Sequence, residues 1–131
     1  MAYIDAENIL IDNKTCSASV VGDVVDLGNR GGYTQPLYVD VKLTEKTSSG
    51  KMDKVTLESA PTSGFTSGTV STEAEVILHG GTAQAQHPMT LAQFHAPIKA
   101  ENRYIRLTAT ASSVSGGKIM ATMQQGIAVP Y

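Results

Sequence analysis

Gly28, Gly31 and Gly32 sit in "VVDLGNRGGYTQPLYVDVKLTE", residues 24–45, just after an apolar run. Glycine clusters in such places can cradle phosphate when a helix follows and its free N–H groups point at the anion. Here Pro36 follows, and then an alternating run from Leu37 that has the pattern of a strand. The spacing fits neither G-x-G-x-x-G nor the Walker pattern with its Lys-Ser/Thr. The cluster is therefore read as a turn that uses glycine's tolerance of positive φ.

The other chemistry-bearing residues are scattered. His79, His87 and His95 are the only histidines, and none lies in an H-x-H or H-E-x-x-H pair. They are read as exposed or loop-anchoring, and neither a metal nor a cofactor is expected. No G-x-S-x-G elbow is present. A dispersed Ser-His-Asp set is defined in space, so the mere occurrence of those residue types carries no weight. Glu73 and Glu75 lie two apart and would share one face of a strand, a face read as solvated and not as a glycosidase pair. Cys16 is the single cysteine, so no intrachain disulfide forms. It is read as a small apolar filler, with a lean towards a reducing compartment. No catalytic residue is assigned, and the chain is read as a non-enzyme.

The elements that must carry these residues are strands. In "LYVDVKLT", Leu37, Val39, Val41 and Leu43 point one way, with Tyr38, Asp40, Lys42 and Thr44 opposite. "DKVTLES" turns Val55 and Leu57 inward, "YIRLTAT" turns Ile105, Leu107 and Ala109 inward, and "KIMATMQ" puts Ile119, Ala121 and Met123 on one face. "AEVILHG" and "VVDL" are shorter apolar runs of the strand kind. Segments rich in Ser, Thr and Gly separate them: "TEKTSSGK" and "SSVSGGK" as turns, "APTSGFTSGTVSTE" as a longer loop. The best helix candidate is the short "MTLAQFHA" between Pro88 and Pro97. Many short strands with almost no helix predict an all-β sandwich, jelly roll or barrel. The division expected is an extended N-terminal arm over 1–20 and a single domain over 21–131.

Composition narrows the function classes. A chain of 131 residues suits one domain and can bury a core without metal or disulfide help. Net charge is −2, so the Lys/Arg surplus that non-specific nucleic-acid binding requires is missing. The acidity is concentrated at the start, where residues 1–29 carry Lys14 against five carboxylates. Tryptophan is absent and aromatics are 5%, leaving few platforms for stacking bases or sugars. No apolar run approaches the ~20 residues of a membrane-spanning helix, and "MAYIDAENILIDNK" lacks the features of a signal peptide. Neither a nucleic acid nor a membrane is an expected partner. A binding or stabilising module is the reading the residues favour.

Two segments carry a family resemblance. "VVDLGNRGGYTQPLYVDVKLTEKTSSG" has Asp26-Leu27-Gly28 after a hydrophobic pair, then Pro36-Leu37 opening an alternating strand. "ENRYIRLTATASSVSGGKIMATM" has Arg103, Tyr104, Ile105, Arg106 and Leu107, a glycine turn and a final core strand. In their order and spacing these resemble the capsid cement (decoration) proteins of tailed bacteriophages, the jelly-roll family typified by that of a Bordetella podovirus. The likeness runs from about residue 8 to about residue 125, with Ile105 where the family usually has Leu and only a general match between Ala60 and Pro97. It implies a jelly-roll β-sandwich of two antiparallel sheets and a structural virion protein on the outer capsid surface. The partners it implies are the major capsid protein and the chain itself, as a homodimer or homotrimer. The protein would be made in the host bacterial cytoplasm and function in the virion. The alternative weighed beside it is a carbohydrate-binding jelly-roll module or tail-associated adhesin, and a cupin-like enzyme comes third.

The contact residues expected are apolar ones that the strand pattern does not claim. They are Tyr3, Ile4, Ile9, Leu10 and Ile11 in the arm, and Ile127, Val129 and Tyr131 in the tail "GIAVPY". Two readings stay open for both termini: contact with a partner, or pairing along the domain's own sheet edge.

Overall fold

A computed structural model describes residues 9–27, 35–98 and 101–125. The described residues form eleven strands. The first five are β1 (Ile9–Thr15), β2 (Ser19–Val21), β3 (Val25–Asp26), β4 (Gln35–Glu45) and β5 (Ser49–Lys51). Then come β6 (Lys54–Ala60), β7 (Ser71–Ile77), β8 (Met89–Ile98), β9 (Tyr104–Thr110), β10 (Ser113–Ser115) and β11 (Lys118–Gln125). One 3₁₀ turn, Gly81–Ala85, is the nearest approach to a helix among the described residues.

The strands make an all-β sandwich. One sheet runs β1-β11-β4-β8, the other β2-β9-β6-β7 with β3 also on β9, and β5 and β10 form a small ribbon. Every pairing is antiparallel. The pairs nest from the ends inward: β1 with β11, β2 and β3 with β9, β4 with β8, β6 with β7. A long hairpin rolled so that successive pairs fall in alternate sheets is a jelly roll, which matches the expected fold class.

Alternation explains why these segments are strands. Leu37, Val39, Val41 and Leu43 of β4 are buried, as are Val55 and Leu57 of β6, Ile105, Leu107 and Ala109 of β9, and Ile119, Ala121 and Met123 of β11. All belong to one core between the sheets. Each Leu, Ile or Val so placed contributes roughly 1.5–3 kcal/mol of burial.

Three expectations are corrected. First, the chain is already in the sandwich before residue 20. β1 pairs with β11 and β2 with β9, and Leu10 and Ile11 are completely buried. Those two are core side chains of this chain and cannot be partner contacts. Pairing of the arm on its own sheet is what the structure shows from Ile9 onward. Second, "MTLAQFHA" is strand β8, not a helix. A register shift opposite Val41 and Lys42 lets the consecutive Leu91 and Ala92 both be buried, and that break in period hides the strand. Third, part of each of the two segments read as turns pairs up as the β5·β10 ribbon.

Gly22 shows how closely the two sheets meet directly after β2. Its N–H donates to the Leu107 carbonyl at 2.8 Å, and the next N–H, of Asp23, donates to Leu10 at 2.9 Å. A Cβ at position 22 would stand 2.2 Å from the Leu10 carbonyl oxygen. Only glycine lets the two sheets approach this closely there.

Candidate docking surface

The outward side chains of the first sheet form a lattice fixed by register. Met120, Lys42 and Thr90 make one row across β11, β4 and β8; Thr122, Asp40 and Gln93 the next; Gln124, Tyr38 and His95 the third. The face is polar and carries a single charge pair within these rows, Lys42 to Asp40 at 3.6 Å. The rings of Tyr38 and His95 pack with centroids 4.8 Å apart and planes tilted by 50°. A depression of about 130 Å³ opens among Tyr38, Asp40, Thr122, Met123 and Gln124.

Asp40 stands out chemically. Its Oδ2 faces the Lys42 ammonium, while Oδ1 is buried and accepts no hydrogen bond from the protein. It is the one such buried side-chain atom among the described residues. A buried acceptor left in this state costs on the order of 1–3 kcal/mol.

On the second sheet's outer face the charges are likewise paired, and no buried side-chain atom there lacks a partner among the described residues. Arg106 donates to Glu58 Oε1 at 3.1 Å and lies 4.3 Å above the Phe65 ring, and Lys54 pairs with Glu75 at 3.4 Å. A larger depression, about 310 Å³, lies between the β5·β10 ribbon and the 3₁₀ turn. There Lys51 is tied to Asp53, whose other oxygen accepts the Ser112 N–H at 2.7 Å and its hydroxyl at 3.1 Å. Its charged groups satisfy one another and leave little for a ligand.

Residues singled out in the sequence do not converge on a reaction centre. His95 is on the first sheet's outer face, His87 Nδ1 contacts the Pro88 carbonyl at 3.0 Å, and the His79 N–H donates to Leu91. No group of three metal-ligating side chains occurs among the described residues. Glu73 and Glu75 are separated in role. A bulge at Leu57/Glu58 breaks the register, so Glu73 accepts from Ser59 at 2.8 Å while Glu75 serves Lys54. Cys16 is buried, and desolvation pushes its thiol pKa up, away from nucleophilic character. Of the expected contacts, Tyr3, Ile4, Ile127, Val129 and Tyr131 lie outside the described residues, as do Gly28, Gly31 and Gly32. Ile9 is partly buried in β1, opposite Thr122.

Two placements give the termini and motifs a context. The described chain starts on β1 and ends on β11, which are adjacent and antiparallel. The first and last described residues, Ile9 and Gln125, therefore lie on neighbouring strands at the end of the first sheet that carries the Gln124–Tyr38–His95 row. The resemblance motifs also meet. Arg103 binds Asp26 through two hydrogen bonds of 2.6 and 2.8 Å, and the Leu27 N–H donates to the Arg103 carbonyl at 2.8 Å. The Asp26 carboxylate raises the Arg103 pKa further above its ordinary value. Asp26 and Arg103 were each singled out by pattern alone; what sequence reasoning missed was Asp40, whose only signal is its outward position in β4. No protein-family model matches the chain, and no curated protein matches it.

Proposed function

We propose that the protein is a structural virion component, a cement protein that binds the outer surface of an expanded phage capsid across junctions between major capsid subunits. One observation carries the reading. The two motifs behind the resemblance, Asp26-Leu27 and Arg103 to Leu107, form one structural unit 77 residues apart in sequence, inside a sandwich of the topology the resemblance implies. Self-association as a dimer or trimer belongs to the same proposal.

The physics is linkage. A protein that binds the assembled lattice better than free subunits shifts the equilibrium towards the shell. Many copies act together, so modest contacts per copy suffice. The packed sandwich keeps its faces rigid and lowers the ordering cost of binding. The test is co-sedimentation with expanded shells of the phage that encodes the chain. Saturable binding, with shells that survive a higher temperature, is the expected result. Protein left in the supernatant at saturating shell concentration would refute the proposal.

A further inference from the structure

The geometry points to a binding site for a guanidinium group, the side chain of an arginine on a partner protein, in the depression between Asp40, Tyr38, Thr122 and Gln124. This goes beyond shell binding, because it assigns a chemical class of ligand to particular atoms and stands whether or not the partner is a capsid.

Complementary charge selects the occupant. The Asp40 side chain is 20% exposed and lines the depression. Lys42 approaches Oδ2 only, at 3.6 Å, and is itself 58% exposed, so it leaves the other oxygen unsatisfied. A carboxylate's last torsion is broad and roughly two-fold, so a small turn brings Oδ1 to an incoming donor. The remaining polar lining, Thr122 and Gln124, offers further acceptors for a group with several N–H donors. Guanidinium is flat, presents its donors as a fork and stacks on aromatic faces, whereas ammonium is a compact point charge. Tyr38, braced by His95, supplies the ring at the rim. Among the described residues, Arg103 is held by Asp26 and Arg106 by Glu58, so from a second copy either would have to leave an existing pair.

The unsatisfied oxygen has a second consequence. A structural aspartate loses stability when replaced, but one whose buried oxygen has no partner does not. Asp40→Asn removes a charge that Lys42 meets at one oxygen only, and leaves the shape.

The test is an amide NMR titration of the purified protein with L-argininamide and, separately, with L-citrullinamide, its neutral isostere, and methyl glucoside. The amides of Asp40, Thr122 and Gln124 are expected to shift saturably with argininamide alone. Asp40→Asn should weaken that binding roughly tenfold or more while unfolding at the same or a higher urea concentration. Equal shifts with citrullinamide, preferential shifts with the glucoside, or no saturable shift would overturn the assignment. So would undiminished binding by Asp40→Asn, or a marked drop in its unfolding midpoint. Shell co-sedimentation plays no part in the titration, so failure of one reading is distinguishable from failure of the other.

Discussion

Gln84 is completely buried, and its amide is fully engaged. Oε1 accepts the Met52 N–H at 2.9 Å, and Nε2 donates to the carbonyls of Met52 and His79 at 3.1 and 2.9 Å. Gln84→Leu keeps the bulk and strands three backbone groups, so it should destabilise the fold by about 2–4 kcal/mol, read as a fall in the urea midpoint at unchanged slope. Asp53 gives a pH dependence. Hydrogen bonds from the Lys51 ammonium, then from the Ser112 N–H, hold its carboxyl pKa below the ordinary 3.8. A lowered folded pKa means stability that is present above the unfolded value and is lost as pH falls through the folded one. Asp53→Asn should therefore flatten the loss of stability below about pH 4, measured by urea unfolding across an acid series; an unchanged acid limb would contradict the assignment. Cys16, buried with its thiol pKa raised, should react with a thiol reagent only at the rate of unfolding. At this scale the sequence was least informative. Gln84 lies in a stretch with no pattern, and the reach of its amide to Met52 and His79 depends on the 3₁₀ turn, which periodicity does not reveal.

Strand β1 is the part of the N-terminus that the sandwich pairs and buries. Deleting residues 1–8 leaves β1 whole, and its urea midpoint should stay close to that of the full chain. Deletion through Ile11 removes the buried Leu10 and Ile11 and should cost about 3–6 kcal/mol. A midpoint unchanged by the longer deletion would contradict the pairing of β1 with β11. Gly22→Ala forces a methyl against the Leu10 and Leu107 carbonyls, and a destabilisation of about 1–3 kcal/mol is expected on thermal or urea unfolding. Strands with strict alternation, β4, β6, β9 and β11, were legible because each has one buried side and turns rich in Ser, Thr and Gly beside it. β8 was not, because a bulge buries Leu91 and Ala92 together and prolines flank the run like helix punctuation. β1 was not for a similar reason: two register shifts, between Ile9 and Ile11 and between Ile11 and Lys14, erase its period. Bulged edges of this kind also protect a sheet from pairing with other chains.

For the whole molecule, the two faces of the sandwich divide the work. The second sheet's outer charges pair with each other through Arg106–Glu58 and Lys54–Glu75, and no buried side-chain atom there lacks a partner among the described residues. The first sheet's outer face carries the polar lattice around Asp40, and the described chain begins and ends on two of its neighbouring strands. If the protein cements a shell, that face should meet the lattice. For the proposed function, the most direct measurement is a cryo-EM reconstruction of expanded phage shells incubated with the purified protein. The predicted result is density for the sandwich on the outer surface over subunit junctions, with the Tyr38–Asp40 face towards the capsid. Bare shells, or density with the Arg106–Glu58 face against the lattice, would contradict the account.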